Sequence, residues 1–481
     1  MKRTKIVCTI GPASESKSKL EQMMKAGLNV CRLNFSHGTY KHHAMLIKNI
    51  RAVSKKLNHP VAILQDLQGP KIRIGELPAE GIKVKKGQQI FLVQQKFKAP
   101  KNSSETFVPI QYDNLYRDVK KGDRILIEDG KILLETLAVK DKMIKCLVTV
   151  SETIKSHKGL NFPDTSISTS PITAKDKKDL EFGIKQDVDF VSLSFVKKAS
   201  DIKSLRQMIE KLESKKPVEK RGTKIISKIE RPEAVKNFEE ILSVVDGVMV
   251  ARGDLGLEIP FEDLILVQKK IIRRCKQASK PVIVATQMLD SMVNYPTPTR
   301  AEISDVANAV LDGTDAIMLS GESATGKYPV KAVAVMNQIS LEVEKTEISE
   351  HEKIGEELKT IGSLTESIAY AAQDIAEDLP ADLIVCPTAS GLTARSVAKY
   401  RSTIPIVGVA GTEKVRNQLC LSWGIIPQYL PSPQSLSELL VKTKKLLLTK
   451  KLIKKGDTIV IAAGDMVGSP GTANTIKVER I

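Results

Sequence analysis

Short apolar segments alternate with amphipathic stretches along much of this chain, and the alternation predicts its main elements. Apolar runs that are followed by helical periodicity are typical of βα units in a parallel sheet. Polar residues crowd the last two or three positions of these runs. The predicted strands are Ile6–Ile10, Asn29–Phe35, Val61–Leu67, Phe190–Val196, Lys224–Glu230, Gly247–Ala251, Pro281–Gln287 and Ala316–Glu322.

Eight strand and helix units in succession predict an α/β fold whose centre is a closed TIM (β/α)8 barrel over residues 1–70 and 168–345. The active site of such a barrel lies at the carboxyl ends of its strands. The polar residues at the ends of the apolar runs fit that position.

The intervening segment, residues 71–167, has short alternating runs instead. An Asp129-Gly130 step separates Ile125–Ile127 from Ile132–Leu134, which is a strong hairpin signal. We expect a small β-barrel domain that is inserted in a barrel loop and acts as a lid. Residues 346–481 are expected to form a third, open α/β domain, with strands over Asp382–Pro387, Ile404–Val409, Ile425–Leu430 and Thr458–Ala463.

Composition limits the classes of protein that fit. Of the 481 residues, 42% are hydrophobic and 27% charged, as in folded proteins. No apolar run approaches the roughly 18 residues of a membrane span, and no cleavable leader is recognisable, so we expect a cytoplasmic protein without a membrane partner. The net charge is +18, yet lysines are dispersed and only 4% of residues are aromatic. This pattern favours a basic surface that attracts small anions over one that binds nucleic acid.

The clearest chemistry lies at the ends of the fifth and sixth predicted strands. Lys228 and Glu230 are two residues apart, so a strand points both side chains to one face. Asp254 follows the next strand beside glycines that let backbone amides approach a ligand. Two carboxylates and a lysine at neighbouring strand ends suit a divalent cation with an oxyanion. A Lys228–Glu230 salt bridge and a plain glycine turn are the structural alternatives.

Other strand ends carry further candidates. Arg32, Asn34 and Ser36 alternate on one face of the second strand. A solvated strand end is the alternative, but the cost of burying three unpaired polar groups favours a ligand phosphate or cation. Asp66 ends the third strand, where a cap and a functional role are equally good interpretations. The seventh and eighth strands end near Thr286 and Ser320.

In the third domain, hydroxyl residues lead from a strand into a helix. Thr388, Ser390, Gly391 and Thr393 could bind the phosphate of an effector. Simple capping by Ser390 or Thr393 explains the pattern equally well.

The chain resembles the pyruvate kinase family over essentially its whole length. The motifs that carry the resemblance occur in one order: Thr4–Pro12, Arg32–Gly38, Gly69–Arg73, Lys228–Glu230, Met249–Gly256, Ala285–Leu289 and Met318–Glu322. The family arrangement, a barrel with an inserted lid and a C-terminal regulatory domain, agrees with the layout predicted above.

The resemblance implies a phosphotransferase that moves the phosphoryl group of phosphoenolpyruvate to ADP, which yields ATP and pyruvate. Glu230 and Asp254 would bind Mg²⁺ or Mn²⁺, and Lys228 would stabilise the migrating group. A homotetramer and activation by a phosphorylated metabolite are also implied. Arg32 and Arg73 would bind phosphate groups, and amides near Ala251, Gly253 and Asp254 would bind the substrate carboxylate. The substrate carbon would be protonated near Thr286 and Ser320. The residues implied to bind the nucleotide are Asn34, His37, Arg73 and Lys175.

One residue departs from the pattern of K⁺-dependent members. Their K⁺ ligands correspond to Asn34, Ser36, Asp66 and Leu67, and they carry an acidic residue where this chain has Lys71. The ammonium of Lys71 would supply the charge of the missing ion. We therefore expect activity without added K⁺.

Two other functions compete with this interpretation. A carbon–carbon lyase that uses phosphoenolpyruvate or pyruvate would share the Glu and Asp pair, although the lid and Lys228 argue against it. A basic nucleic-acid binder on an inactive scaffold would require a lost catalytic residue, and none of the expected set is missing.

Overall fold

The computed structural model describes residues 2–100, 102–346, 363–431, 435–464 and 473–481. Its strands, in chain order, are β1 Lys5–Thr9, β2 Val30–Asn34, β3 Ala62–Asp66, β4 Ile82–Val84, β5 Gln89–Gln94, β6 Thr106–Ile110, β7 Arg124–Ile127, β8 Ile132–Lys140, β9 Met143–Val148, β10 Glu152–Ile154, β11 Leu160–Asn161, β12 Phe190–Leu193, β13 Lys224–Ile229, β14 Gly247–Ala251, β15 Val282–Ala285, β16 Ala316–Leu319, β17 Leu383–Thr388, β18 Ile406–Ala410, β19 Ile425–Tyr429, β20 Thr458–Gly464 and β21 Ala473–Arg480.

The helices of the described residues lie mostly between these strands. They are α1 Lys17–Ala26, α2 Tyr40–Leu57, α3 Leu115–Asp118, α4 Ala174–Lys185, α5 Ala199–Glu213, α6 Pro232–Lys236, α7 Phe238–Val244, α8 Arg252–Glu258, α9 Leu264–Gln277, α10 Arg300–Leu311, α11 Gly321–Ala324, α12 Pro329–Thr346, α13 Leu364–Asp378, α14 Leu392–Ala398, α15 Glu413–Leu419 and α16 Leu436–Thr449. None of the helices in the described ranges is long and apolar enough to cross a membrane.

Eight parallel strands close the barrel in the order β1-β16-β15-β14-β13-β12-β3-β2, so the predicted barrel is confirmed. Several strands end before the polar residues that the sequence pattern assigned to them. For example, β16 ends at Leu319 and the chain turns into α11. The turn is stabilised by Glu322, whose carboxylate accepts hydrogen bonds from the amides of Ser320 at 2.7 Å and Leu289 at 3.1 Å.

Both faces of the barrel strands are buried, which is why they read as continuous apolar runs. Successive residues belong to different clusters: Ile225 packs toward the helices, and Ile226 packs inside the barrel. Cys420 and Leu421 of the C-terminal region join the interior cluster. The C-terminal region therefore covers the amino ends of the strands and leaves the carboxyl ends open.

The inserted segment is antiparallel for the most part, as its alternating pattern predicts. The predicted hairpin joins β7 to β8 through Glu128, Asp129 and Gly130, whose φ angles are 52°, 56° and 86°. The expected small β-barrel is confirmed. Its strands form a six-stranded sheet, β11-β7-β8-β9-β5-β6, and a separate pair, β10-β4. The segment 72–75 joins the two edges of the larger sheet, because Arg73 pairs with Gly159 beside β11 and Ile74 pairs with Ile110 of β6. Main-chain hydrogen bonding therefore runs around a closed ring.

Residues of the insertion contact the barrel through a buried carboxylate. Glu258 of α8 accepts a hydrogen bond from Asn161 Nδ2 at 3.1 Å and lies 3.2 Å from Arg231 Nη1. Arg231 in turn donates to the Thr165 carbonyl at 3.1 Å. These contacts fix one side of the insertion beside β13 and α8.

The third sheet has the order β19-β18-β17-β20-β21. Its first four strands are parallel, and the predicted open α/β arrangement is confirmed. The sequence pattern missed β21, which pairs antiparallel with β20 at the sheet edge. Most of its residues are exposed or half-buried, so it lacks the apolar run on which the strand predictions depend.

Gly183 in α4 provides a test of the packing between α4 and β3. A Cβ atom there would overlap the Oε1 atom of Gln65, which is fully buried and held by its bond to the Asp179 carbonyl at 2.7 Å. We expect Gly183→Ala to destabilise the protein by about 1–3 kcal/mol, as overpacked cores do. The measurement is the midpoint of thermal or urea unfolding.

Gly256→Ala is the matched control, since Gly256 also lies in a helix but its added Cβ would meet only the tip of Leu264 at 3.3 Å. It should be neutral or slightly stabilising. Equal midpoints for the two variants would contradict the proposed packing.

Candidate active site

Lys228 is the centre of a charged cluster at the carboxyl end of β13. Its Nζ atom lies 2.8 Å from Glu230 Oε1 and 3.6 Å from Asp66 Oδ1, and it donates to Ser194 Oγ at 3.0 Å. The salt bridge considered from the sequence is therefore present. Burial alone would lower the pKa of Lys228, but the charges of Asp66 and Glu230 outweigh it and raise the pKa above its ordinary value. The side chain remains a cation.

Asp66 joins Lys228 to Arg32 of the second strand. Its Oδ2 accepts a hydrogen bond from Arg32 Nε at 2.8 Å, and its Oδ1 accepts one from Ser192 Oγ at 2.6 Å. Although burial acts to raise the pKa of Asp66, Lys228 and Arg32 hold it below its usual value. Both carboxylate oxygens are occupied by groups of this chain. Asp66 thus organises two cations and is not a simple cap.

Glu230 is almost fully buried and only partly satisfied. Its Oε2 accepts the amide of Phe195 at 2.8 Å. Its Oε1 accepts no hydrogen bond of good geometry, despite the nearby ammonium of Lys228. Burial raises the pKa of Glu230, Lys228 opposes that shift and Asp254 adds to it. A divalent cation beside Oε1 would neutralise the repulsion between Glu230 and Asp254, so this atom suits a metal ligand.

Asp254 lies in the first turn of α8, and its side chain is 26% exposed. Lys71, which enters from the start of the insertion, places its Nζ atom 3.2 Å from Asp254 Oδ1. Within the described ranges no group of three or more acidic, His or Cys side chains could enclose a metal ion. Glu230 and Asp254 fit an ion whose other ligands come from substrate and water, as is usual for Mg²⁺ at phosphate sites.

Thr286 lies beside α8 at the end of β15. Its hydroxyl accepts the amide of Gly253 at 2.7 Å and donates to the Ala285 carbonyl at 2.6 Å. Thr286 and Gln287 have φ angles of 74° and 54°, which are unusual for residues other than glycine. Such strained backbone tends to occur at functional sites.

Arg252 holds this strained segment in place and was missed in the sequence analysis. It is buried, donates to the Thr286 carbonyl at 2.8 Å and pairs with Asp305 at 2.7 Å. An arginine directly after the fully apolar strand β14 was the available signal, because a buried arginine needs acceptors. Ser192 on β12 and Ser194 just after it were also missed, although they are two residues apart and bond to Asp66 and Lys228.

The end of β2 carries most of the nucleotide candidates. Asn34 Oδ1 accepts the amide of Ser36 at 3.0 Å, and His37 is exposed. Lys175 of α4 donates to the Phe35 carbonyl at 2.6 Å and pairs with Asp179. The fold thus brings Lys175 to the same strand end as Asn34.

The remaining candidates lie around the rim. Ala251 ends β14 directly before α8, and Ser320 follows β16. Leu67 follows β3, and its carbonyl accepts a hydrogen bond from Ser194 Oγ at 2.7 Å. Arg73 lies on the insertion and donates to the His157 carbonyl at 3.0 Å. No hydrogen bond or ion pair joins it to the Lys228 cluster in the described residues.

The effector candidates lie at the start of α14. Thr388 Oγ1 accepts the amide of Gly391 at 2.9 Å, and Gly391 has a φ angle of 83°. No side chain caps α14, so the capping role considered for Ser390 or Thr393 is not observed. Thr393 is buried within the helix.

A (β/α)8 barrel with buried cations and paired carboxylates at its open rim defines an enzyme that acts on anionic substrates. Comparison with known proteins agrees. The family model "Pyruvate kinase, barrel domain" matches residues 1–333, and "Pyruvate kinase, alpha/beta domain" matches residues 366–479. The chain belongs to the pyruvate kinase family and is a phosphotransferase.

Individual relatives cover the whole chain. It is 44% identical to a pyruvate kinase of Geobacillus stearothermophilus over 100% of this chain and 80% of that protein. It is 42% identical to one of Clostridium acetobutylicum over 100% and 99% of the two chains. The crystal structure of a pyruvate kinase from Cryptosporidium parvum superposes with a TM-score of 0.91 at 36% identity, covering 100% of this chain and 96% of that one.

Asp66→Asn tests whether this carboxylate holds the two cations in place. We expect it to cost about 3–5 kcal/mol of stability, because it leaves buried positive charge uncompensated. The stabilisation by Asp66 should be present above its unfolded pKa of about 3.9. It should be lost as the pH falls through the lower folded pKa. Unfolding midpoints between pH 3 and 7 give the measurement.

Asp164→Asn serves as the control, since Asp164 also pairs with an arginine, Arg124, at 2.8 Å but is 34% exposed. Its loss should cost at most about 1 kcal/mol. Similar losses for both variants would show that Asp66 has no special role.

Proposed function

We propose that this protein transfers the phosphoryl group of phosphoenolpyruvate to ADP and so produces ATP and pyruvate, the last step of glycolysis. The observation that carries the proposal is the buried, protonated Lys228 between Asp66 and Glu230 at the open end of the barrel. Its charge is placed where a transferring phosphoryl group needs one. The cytoplasmic location stays a prediction from the sequence.

Glu230 and Asp254 are proposed as the protein ligands of Mg²⁺ or Mn²⁺. When bound, the ion would neutralise charge on phosphoryl and enolate oxygens. Two observations support this assignment: Glu230 Oε1 contacts Lys228 without a hydrogen bond of good geometry, and the Asp254 carboxylate is partly exposed. The amide of Phe195 orients Glu230 through its other oxygen.

The cations of the chain are assigned to the phosphate. Lys228 stabilises the migrating group, and Arg32 binds it. Asp66 and Thr9 orient Arg32, since the Thr9 hydroxyl accepts a hydrogen bond from Arg32 Nη1 at 2.8 Å. Such positioning of fixed charges accounts for most of the catalysis in phosphoryl transfer. Arg73 would join this group from the insertion, which requires that the lid move toward the barrel rim.

The other end of the substrate is assigned to the start of α8. Amides near Ala251, Gly253 and Asp254 would receive the carboxylate, since backbone N–H groups at helix starts attract anions. Thr286 and Ser320 would lie near the carbon that is protonated. The bond from Gly253 to Thr286 links the two parts of this site.

Asn34, His37, Arg73 and Lys175 are proposed to bind the nucleotide. Lys175 approaches the end of β2 at 2.6 Å from the Phe35 carbonyl, which places its charge near Asn34. The Lys175 side chain is 49% exposed and His37 is exposed, so both can be reached from solvent.

We propose that the enzyme needs no K⁺. Of the four positions that match K⁺ ligands, Asn34, Ser36, Asp66 and Leu67, Asp66 already has both oxygens bound by Arg32 and Ser192. The ammonium of Lys71 is 3.2 Å from Asp254 and adds a fixed positive charge to this rim.

Regulation and assembly are further proposals. A phosphorylated effector would bind at Thr388, Ser390, Gly391 and Thr393, where Gly391 gives the loop its left-handed turn. We also propose a homotetramer, which the resemblance to the family implies. The proposed domains are residues 1–70 with 168–345, 71–167 and 346–481.

Lys228→Met tests the catalytic assignment. It should lower kcat for ADP-dependent pyruvate release by about 100- to 1,000-fold, as the loss of a charge that stabilises the transition state does. Pyruvate formation with and without ADP is the measurement, and circular dichroism checks that the fold survives.

Lys224→Met is the matched control. Lys224 begins the same strand at the opposite end of the barrel and pairs with Asp246 at 3.2 Å. Its replacement should leave kcat within a few-fold of the parent. Unchanged turnover of Lys228→Met would contradict the role of Lys228, and release of pyruvate without ADP would favour the lyase alternative.

The K⁺ proposal predicts full turnover in sodium buffer. Adding potassium chloride at constant ionic strength should change kcat by less than about two-fold, because Lys71 supplies the charge internally. Lys71→Glu should lose activity in sodium and regain part of it with K⁺. Low activity of the parent protein in sodium that K⁺ restores manyfold would refute the proposal.

A further inference from the structure

His43 is a buried histidine beside the candidate nucleotide residues, and the reaction proposed above gives it no role. It lies in the first turn of α2 and is only 5% exposed. The neighbouring His37 is exposed, and the side chain of His42 is 34% exposed. A buried imidazole needs hydrogen-bond partners inside the protein, so the contacts of His43 show what it holds in place.

The imidazole of His43 holds the backbone of His37. Its Nε2 atom lies 2.9 Å from the His37 carbonyl oxygen. Because a carbonyl only accepts hydrogen bonds, Nε2 must carry the proton, and Nδ1 is the bare nitrogen of the neutral ring. Nδ1 has no hydrogen-bond partner among the described residues. Burial lowers the pKa of His43, so the ring is neutral at neutral pH and keeps this tautomer.

Stacking on Phe35 sets the orientation of the imidazole. The two ring centroids are 4.0 Å apart, and the ring planes differ by 7°. The chain passes close to the imidazole at Gly38, where an added Cβ would lie 3.2 Å from His43 Nε2. The φ angle of Gly38 is 83°, a backbone conformation that favours glycine. His43 therefore contacts the turn over residues 35–38 at both of its ends.

The same stacked ring supports Lys175. The Phe35 carbonyl accepts a hydrogen bond from Lys175 Nζ at 2.6 Å, and Asp179 accepts one from the same ammonium at 2.6 Å. Phe35 also packs against Phe182, with ring centroids 6.0 Å apart. Because Phe35 is packed against both Phe182 and His43, its carbonyl has a fixed position from which to hold Lys175.

We propose that His43 is a positioning residue for the nucleotide: it fixes the turn over residues 35–38 so that His37 and Lys175 are in place before ADP binds. His43 itself is buried and acts through these two residues. A site whose groups are already fixed binds more tightly, because less conformational freedom is lost on binding. This inference rests on the proposed function, in which His37 and Lys175 bind the nucleotide. The alternative is a histidine that only fills the core.

His43→Phe tests the hydrogen bond, since phenylalanine keeps a stacked ring and removes the donor. We expect KM for ADP to rise about five- to tenfold, because the turn loses one hydrogen bond. KM for phosphoenolpyruvate should stay within about twofold and kcat within about threefold of the parent. Pyruvate release at varied ADP and at varied phosphoenolpyruvate gives these constants, and calorimetric titration of ADP gives its Kd without turnover. A residue that only fills the core would lower the unfolding midpoint and would not raise KM for ADP selectively.

His43→Gln tests for rescue, because the Nε2 donor of glutamine lies about as far from the backbone as that of histidine. It should recover part of the ADP affinity that His43→Phe loses. If both variants weaken ADP binding equally, the hydrogen bond to the His37 carbonyl has no positioning role and the inference is wrong.

His59→Phe is the matched control. The Nε2 atom of His59 also faces a carbonyl, that of Leu28 at 3.3 Å, but His59 precedes β3 at the opposite end of the barrel. This variant should keep KM for ADP within about twofold of the parent. If the parent is active and His43→Phe leaves KM and Kd for ADP unchanged, the inference fails while the proposed reaction stands. A parent protein that neither binds ADP nor forms pyruvate with it would overturn both.

Discussion

The arrangement of the site depends on one buried ammonium, that of Lys228, and on the carboxylates that compensate its charge. Without Asp66 and Glu230, a lysine in this position would lose its proton or force the rim open to water. Asp66 extends the network to Arg32, and Glu230 extends it toward Asp254. The charges are therefore fixed before any substrate arrives, which is the condition for electrostatic catalysis at low reorganisation cost.

This network requires a closed barrel. Lys228, Asp66 and Arg32 come from three strands that are far apart in sequence, and parallel pairing brings their carboxyl ends to one rim. Ser192 on β12 and Ser194, which follows that strand, complete the hydrogen bonding. The C-terminal region packs on the opposite end through Cys420 and Leu421, so the rim stays open while the base is covered.

Buried charges have different partners at the two ends of the barrel. At the rim, cations and carboxylates are interleaved, and Glu230 Oε1 lies 2.8 Å from the ammonium of Lys228. At the base, Asp315 accepts the amides of Trp423 and Val282 and lies beside Arg401, so groups of this chain compensate its charge.

The sequence by itself determined the eight barrel strands, the inserted β segment, the third α/β unit and most of the rim residues. These features depend on local signals, namely the spacing of apolar residues and the polar residues at strand ends. Tertiary structure alone decided which partners each side chain meets. From the sequence, Asp66 could have been a simple cap, but in the fold it lies between Lys228 and Arg32. Arg252 had no role in the sequence analysis, but in the fold it contacts Thr286 and Asp305. Strand β21 could not be predicted from the sequence either, because an exposed edge strand pairs through its backbone and needs no apolar side chains. Long-range contacts carry no signal in a single sequence, and for that reason the charges were predicted but their pairing was not.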